Sequence, residues 1–128
     1  MKRVQLEAIG KQIVDAAYQV HKELGPGLLE SAYERCMVVE LIERGLQVER
    51  QVKLPIIYKG NAIDGGYRLD LIIENEIIIE LKTVDHILPV HEAQLISYLK
   101  LSGKRLGYLI NFNVDLIKNG INRRVNKL

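Results

Sequence analysis

Three charged residues lie inside two apolar segments of strand-like composition, Asp70 in RLDLII and Glu80 and Lys82 in IIIELK. Side chains of a strand alternate between the two faces of a sheet, so Glu80 and Lys82 project together while Leu81 points the other way. Burying such charges costs on the order of several kcal/mol each unless they pair or bind a metal. Two carboxylates and an ammonium on one sheet surface therefore predict a metal site.

The length of the turn between the two segments decides whether the carboxylates meet. A turn of two residues would set Asp70 against Leu81. A turn of three residues, Glu74-Asn75-Glu76, sets Asp70 against Glu80, with Cβ atoms about 5 Å apart, which suits two carboxylates around one divalent ion. We expect the three-residue turn. In that register Ile72 and Ile78 share the carboxylate face, and the other face holds Leu69, Leu71, Ile73, Ile77, Ile79 and Leu81.

The donor set suits Mg²⁺ or Mn²⁺, hard ions that keep several waters and take one or two carboxylates from the protein. The backbone carbonyl of Leu81 is a third candidate ligand. An ion held here lowers the pKa of a bound water and stabilises charge on a scissile phosphate. The neighbouring Lys82 would orient that water or offset the developing negative charge. The spacing D-x9-E-x-K therefore indicates phosphodiester hydrolysis.

Three helices must surround these strands. Apolar residues at three- and four-residue spacing predict helices at Val4–Leu24, about Leu28–Arg44 and Val90–Leu101. Gly25-Pro26-Gly27 ends the first of them. On the second helix, the residues expected to face the core are Ala32, Cys36, Val39 or Met37, and Ile42.

Further strands are predicted on both sides of the charged segments. LQVERQVKLPIIY is broken by Pro55 and indicates an edge or bent strand. Lys59-Gly60-Asn61 predicts a hairpin turn, and Gly65-Gly66 predicts a bulge or bend. Leu106–Phe112 indicates another strand, and a last hairpin is expected with Asn119-Gly120 as its turn and INRRVN as its return.

The order of these elements predicts the fold class. Both faces of the segment 67–82 are apolar apart from the charged residues, which is typical of a central sheet covered by helices on both sides. We therefore expect an α/β fold with a mixed sheet. With 128 residues, the chain fits one domain, spanning 1–128.

Composition argues against several classes of protein. Apolar residues make up 48% and charged residues 27%, an ordinary globular balance, so disorder is not expected. No apolar run approaches the roughly 20 residues of a membrane helix, and Met1 precedes an amphipathic segment rather than a signal peptide. We expect a soluble, cytoplasmic protein without membrane contact. The single cysteine, Cys36, cannot form an internal disulfide and fits a packed small hydrophobe better than a catalytic thiol.

The net charge of +2 is unevenly distributed. From residue 100 onwards seven basic residues stand against one acid, an excess of +6. Such a segment is either a phosphate footprint for nucleic acid or a solvated basic surface, and the sequence leaves both open. The basic residues are Lys100, Lys104, Arg105, Lys118, Arg123, Arg124 and Lys127, and the acid is Asp115.

Several blocks in a fixed order give the chain a family resemblance. Gly27-Leu-Leu-Glu30-Ser-Ala-Tyr33 is followed by GYRLDLIIENEIIIELK, and then by HEAQLISYLKLSG, GYLINFN and GINRRVN. In these blocks the chain resembles the GxxExxY family of the PD-(D/E)xK nuclease superfamily over nearly its whole length. Leu69 stands where the superfamily label has a proline, a position that supplies no ligand.

The resemblance implies a restriction-endonuclease-like α/β/α core and a divalent-metal nuclease site that acts on nucleic acid, DNA more than RNA. It assigns the first-strand aspartate to Asp70 and the E-x-K to Glu80 and Lys82. Glu30, from an early helix, would complete the metal environment or orient its water. Gln94 would be the polar residue of the following helix, with Tyr98 beside it. By analogy, a homodimer would act on both strands of a duplex.

Less specific roles stay open for these residues. Glu80 and Lys82 would also fit an intrastrand salt bridge, and Glu30 a helix N-terminal acid stabilised by the helix dipole, with Glu34 a rival for the site role. Gln94 would also fit a polar spot on a buried face. At the level of function, the alternative is a catalytically inactive nuclease-fold module that binds nucleic acid or protein. The remaining polar residues near the predicted site, His86, His91 and Arg68, fit exposed loop or strand positions as well as substrate contacts.

Overall fold

Three α-helices and seven strands build the structure, a computed structural model that describes all residues from Met1 to Leu128. Five strands form one sheet in the order β1-β4-β5-β6-β7, in which β5 and β6 are parallel and the other neighbours antiparallel. The remaining two strands form a separate hairpin. The elements are α1 (Arg3–Leu24), α2 (Glu30–Glu43), β1 (Val48–Lys53), β2 (Ile56–Tyr58), β3 (Asn61–Ile63), β4 (Arg68–Ile73), β5 (Ile77–Lys82), α3 (Pro89–Ser102), β6 (Leu106–Asn111), a 3₁₀ turn (Ile117–Asn119) and β7 (Ile121–Val125).

Helices cover both faces of the sheet, as predicted. Helices α1 and α2 pack on one face against the odd-numbered residues of β5, such as Ile77, Ile79 and Leu81. Helix α3 packs on the other face, where its Leu95 and Leu99 meet Ile78 and other apolar residues of the sheet. The fold is therefore a mixed α/β/α arrangement consistent with a restriction-endonuclease-like core. None of the helices combines the length and the apolar character that crossing a membrane requires.

The β4–β5 hairpin has the predicted register. Ile73 pairs with Ile77, and the ladder continues to Leu71 opposite Ile79. The turn consists of residues 74–76, of which Glu74 and Asn75 both have left-handed backbones with φ 54. Extending the same register by one pair beyond Leu71 and Ile79 sets Asp70 across from Glu80.

The predicted core face of α2 is correct at Met37, one of the two alternatives for that position, and wrong at Ile42. Val39 and Ile42 are each 57% exposed, whereas the buried row advances by four residues at a time from Tyr33 through Met37 to Leu41. Glu34 is also buried there, because partners from β1 satisfy its carboxylate. A prediction from the spacing of apolar residues cannot assign a charged residue such as Glu34 to the buried face. It therefore assigned exposed apolar residues to that face instead. The other expected core residues, Ala32 and Cys36, are half-buried.

Leu69 lies on the α3 face with Ile72 and Ile78, not on the opposite face as its position in the alternating pattern predicts. The alternation breaks one residue later. Leu69 still pairs with Val52, but the following pair, Gln51 with Asp70, is absent from the ladder. Gln51 has a left-handed backbone with φ 51, which interrupts the regular pleat of β1.

The last two strands are antiparallel neighbours, with Ile110 opposite Ile121, but the predicted turn at Asn119-Gly120 is wrong. The connection is longer and includes the 3₁₀ turn Ile117–Asn119. Gly120 instead leads into β7, where its carbonyl accepts the N–H of Asn111 at 2.8 Å. A Cβ on Gly120 would collide with the Asn111 carbonyl oxygen, so glycine is needed for close approach rather than for the turn.

The β2–β3 hairpin has the predicted turn, with Tyr58 paired to Asn61 around Lys59-Gly60. Lys59 and Gly60 have φ values of 50 and 79, the left-handed pair of a two-residue hairpin turn. Gly66 also has a positive φ, 78, at the predicted bend that leads into β4.

Candidate active site

The candidate site lies where β4 and β5 part. The paired ladder ends at Leu71 and Ile79. Beyond it the Leu81 N–H, which a continued ladder would direct to the β4 backbone, donates to Asp70 Oδ2 at 2.8 Å. In return the Asp70 N–H donates to Glu80 Oε2 at 3.0 Å. Two carboxylates thus take the place of backbone acceptors and hold the strands apart at this end of the sheet.

Glu80 is nearly inaccessible to solvent, with 5% of its surface exposed. Burial, followed by the charge of Asp70 and a hydrogen bond between the two carboxyl groups, raises the pKa of Glu80 to about 9. Lys82 acts in the opposite direction but more weakly. Without a metal ion, Glu80 therefore carries a proton at neutral pH.

A cavity of about 270 Å³ opens on the α2 side of this pair. Glu30, the first residue of α2, faces Asp70 across it. Burial and then the charge of Asp70 raise the pKa of Glu30, while Lys82 lowers it. The protonation of Glu30 therefore depends on the charges of Asp70 and Lys82. The cavity is lined by Glu30, Ser31, Glu34, Gln51, Asp70 and Leu81.

Tyr33 fixes the start of α2 and with it the position of Glu30. Its hydroxyl donates to the carbonyl oxygen of Gly25 at 2.6 Å and accepts the N–H of Leu28 at 3.2 Å. Its ring stacks on Phe112, with centroids 4.5 Å apart and planes 7° from parallel. Gly27 has a left-handed backbone with φ 102 in the same loop, so the glycine and the tyrosine of the Gly27–Tyr33 motif both shape the loop that precedes Glu30.

Gln94 and Tyr98 lie on the opposite, α3 side. Burial, then the charge of Glu80, raises the pKa of Tyr98 to about 12, and the nearby Gln94 amide acts in the opposite direction. Tyr67 meets the Tyr98 ring edge-on at 6.1 Å. Gln94 is half-buried and does not line the Asp70 cavity. Gln94 and Tyr98 therefore lie on the α3 side of the sheet, and Glu30 lies on the α2 side.

Lys82 is half-buried and forms no ion pair. The alternative reading of Glu80 and Lys82 as an intrastrand salt bridge is therefore wrong. Its ammonium still lowers the pKa of both Glu30 and Glu80, which places it within electrostatic reach of both carboxyl groups and leaves its donors free for a ligand.

Glu34, the rival of Glu30, is engaged elsewhere. It accepts hydrogen bonds from Arg50 at 3.2 Å and from Gln51 at 2.7 Å, whereas Glu30 has no hydrogen-bond partner among the side chains. Sequence reasoning missed Arg50 and Gln51. The only signal for them was an imperfect alternation in β1.

The two histidines near α3 lie outside the cavity. The Nδ1 atom of His91 accepts the N–H of Leu88 at 3.0 Å and so caps the helix, and His86 is exposed beside Asp85. Arg68 is exposed too and donates to the Gln51 carbonyl at 3.5 Å. His86, His91 and Arg68 thus occupy loop, helix-cap or strand positions outside the cavity, as the alternative to substrate contacts predicted.

The donors fit a divalent ion held by two carboxylates rather than three. No three His, Cys, Asp or Glu side chains are spaced to hold a metal ion among themselves, so Glu30 is not gathered with Asp70 and Glu80 as a third ligand. The N–H and C=O groups of one residue point to the same neighbouring strand, so the Leu81 carbonyl is directed to the edge that holds Asp70. Two carboxylates, a carbonyl and water form a normal Mg²⁺ environment.

Comparison with known proteins agrees with this geometry. A model of the PD-(D/E)XK nuclease superfamily matches residues 7–124, from the first helix to the last strand. Searches of curated proteins and of solved structures return no match. Because the match covers nearly the entire chain, the chain belongs to the PD-(D/E)XK nuclease superfamily.

Proposed function

We propose that the chain is a divalent-metal-dependent nuclease that hydrolyses phosphodiester bonds of nucleic acid, DNA in preference to RNA. The observation that carries the proposal is the Asp70–Glu80 pair, two carboxylates that accept backbone N–H groups just beyond the end of the ladder and of which Glu80 holds a proton. Mg²⁺ or Mn²⁺ would bind there in exchange for it.

Asp70 and Glu80 would hold the ion, together with the Leu81 carbonyl. When bound, the ion lowers the pKa of a water and offsets negative charge on the scissile phosphate. Lys82, unpaired and within reach of both carboxyl groups, would position that water and donate to the developing oxyanion. Glu30, whose pKa burial and Asp70 raise, would accept a proton from the water or orient it across the cavity rather than bind the ion directly.

On the α3 side, the Gln94 amide and the Tyr98 hydroxyl would contact the nucleic-acid backbone. We further propose membership of the GxxExxY family within the superfamily. Two observations support it: the motif tyrosine, Tyr33, hydrogen-bonds to the Gly25–Leu28 loop, and the motif glycine, Gly27, has a left-handed backbone with φ 102 in that loop. For cleavage of both strands of a duplex, two copies of the chain would be required, and we propose a homodimer for that reaction.

A second candidate is a binding module of the same fold without turnover. It is favoured by the fact that Asp70 Oδ2 and Glu80 Oε2 already accept backbone N–H groups, so the pair is satisfied without an ion. Both candidates predict nucleic-acid binding, and only the first predicts metal-dependent cleavage.

Thermal unfolding and cleavage assays separate the two. Mn²⁺ at about a hundred times its Kd should stabilise the wild type by roughly 2.7 kcal/mol, and Asp70→Asn and Glu80→Gln should lose this shift. Single- and double-stranded DNA and RNA should be tested for cleavage with the same proteins. Lys82→Ala should keep the metal shift and lose cleavage by about 10²-fold or more.

Glu49→Gln is the matched control, since it removes an exposed strand carboxylate and should behave as wild type. Absence of any metal shift in the wild type would refute the metal site. A metal shift with no cleavage of any nucleic acid would favour the binding module, and cleavage that survives both Glu80→Gln and Lys82→Ala would assign the activity to a contaminant.

A further inference from the structure

Gln51 has the one unusual backbone conformation inside a strand of the sheet. Its φ of 51 lies in the left-handed region, which a residue other than Gly, Asn or Asp seldom adopts. The other non-glycine residues with positive φ lie in turns or after the last strand, and they are Lys59, Glu74, Asn75 and Lys127. Strain of this kind persists only where the surrounding contacts impose it.

The side chain of Gln51 joins two carboxylates. Its Nε2 donates to Glu34 Oε1 at 2.7 Å and to Asp70 Oδ1 at 3.3 Å. The other oxygen of Asp70 accepts the Leu81 N–H, so the Asp70 carboxylate is held from two directions. Glu34 is fixed in turn by Arg50 at 3.2 Å. A continuous chain of polar contacts therefore leads from α2 and β1 to Asp70.

In both strands, the regular alternation of side chains between the two faces of the sheet is interrupted at this point. In β1, Val48 packs on the α1–α2 side and Val52 on the α3 side. In β4, Leu71 packs on the α1–α2 side and Leu69 on the α3 side. The Gln51–Asp70 pair, which is missing from the ladder, lies between the two halves. The conformation of Gln51 is thus what turns its amide into the cavity beside Asp70.

We propose that Gln51 is a positioning residue for Asp70, holding that carboxylate in the orientation in which it binds the divalent ion. The inference rests on the proposed metal-dependent function and adds to it a residue outside the D-x9-E-x-K spacing. Groups that hydrogen-bond to a metal ligand typically change metal affinity or activity by about 10- to 100-fold when they are removed.

The test uses two substitutions that a left-handed backbone accepts. Gln51→Gly relieves the strain and removes the amide, and Gln51→Asn tolerates the conformation but is one methylene too short to reach both carboxylates. Both variants lose the hydrogen bond to the buried Glu34, and in Gln51→Gly the relieved strain offsets part of that loss. Melting temperature in EDTA should therefore fall by no more than about 5 °C for Gln51→Gly and by somewhat more for Gln51→Asn. The apparent Mn²⁺ affinity, measured by the metal-dependent rise in melting temperature, should fall about 10-fold or more, with a matching loss of kcat and an unchanged KM for nucleic acid.

Asn75→Gly is the matched control, because Asn75 has the same left-handed backbone at the far end of the β4–β5 hairpin. It should leave metal affinity and cleavage unchanged. Wild-type metal affinity and cleavage in Gln51→Gly would overturn the inference while leaving the metal site intact. A fall in melting temperature in EDTA large enough to account for the lost activity would also overturn it, in favour of a purely structural role. A wild type that neither binds Mn²⁺ nor cleaves would overturn the proposed function and this inference together.

Discussion

Replacing Glu80 by glutamine tests the protonation of Glu80 directly. A neutral glutamine has the shape of a protonated glutamate and, like it, carries no charge beside Asp70. Unlike glutamate, it cannot ionise in the unfolded chain. In the absence of metal we therefore expect Glu80→Gln to be more stable than the wild type at neutral and alkaline pH.

The size of the effect follows from the pKa of Glu80, which rises from an ordinary value of 4.5 to about 9 in the folded protein. Below pH 4.5 both states of the wild type are protonated and the substitution changes little. Between pH 4.5 and 9 the folded state keeps the proton while the unfolded state loses it, so the free energy of unfolding of the wild type falls as the pH rises. One pH unit corresponds to about 1.4 kcal/mol, which makes the expected difference roughly 3 kcal/mol at pH 7.

Urea denaturation of both proteins at 25 °C in EDTA, from pH 5 to pH 9, measures this difference. The gap between the two free energies of unfolding should be small at pH 5 and widen with each pH unit until it levels off near pH 9. Glu49→Gln, an exposed carboxylate of β1, should show no widening gap. A gap that does not depend on pH, or a wild type that gains stability relative to Glu80→Gln as the pH rises, would show that Glu80 is ionised in the folded protein.

Two further substitutions test the elements that position the site. Tyr33→Phe removes the hydroxyl that joins Gly25 to Leu28 and should lower the free energy of unfolding by about 1–3 kcal/mol in urea denaturation; an unchanged value would show that the loop does not depend on it. Gly10→Ala should cost about 1–3 kcal/mol by overpacking, because the new Cβ would collide with the Tyr108 hydroxyl. Tyr108→Phe in the same chain should restore most of that loss, and a failure to do so would place the strain elsewhere.

Local rules explain why much of this structure was predictable from the sequence. The helices are amphipathic or bounded by glycine and proline, and the β4–β5 register depends only on the length of one turn. Asp70 and Glu80 could therefore be set opposite each other before any coordinates were known. The observed ladder confirms this register from the Ile73–Ile77 pair to the Leu71–Ile79 pair, and just beyond its end the Asp70 N–H donates to Glu80.

The parts that could not be predicted depend on contacts between distant residues. The buried face of α2 includes Glu34 because Arg50 and Gln51, from another element, satisfy its charge. Leu69 changes face because Gln51 leaves the extended region of backbone space. Neither feature can be inferred from the spacing of hydrophobic residues, because that inference assumes that every buried position is apolar and that every strand is regular.

These exceptions lie together at the site, and they share a physical cause. A regular sheet would pair every backbone group of β4 and β5 and leave no room for a ligand. Here two side chains take over acceptor positions, one strand residue adopts a strained conformation, and Glu80 retains a proton against its ordinary pKa. The strained backbone of Gln51 and the buried, protonated Glu80 lower the stability of the metal-free protein, and a cation that replaces the proton would remove the cost at Glu80. Substitutions that stabilise this end of the sheet should therefore be the ones that abolish metal binding, with Glu80→Gln as the clearest case.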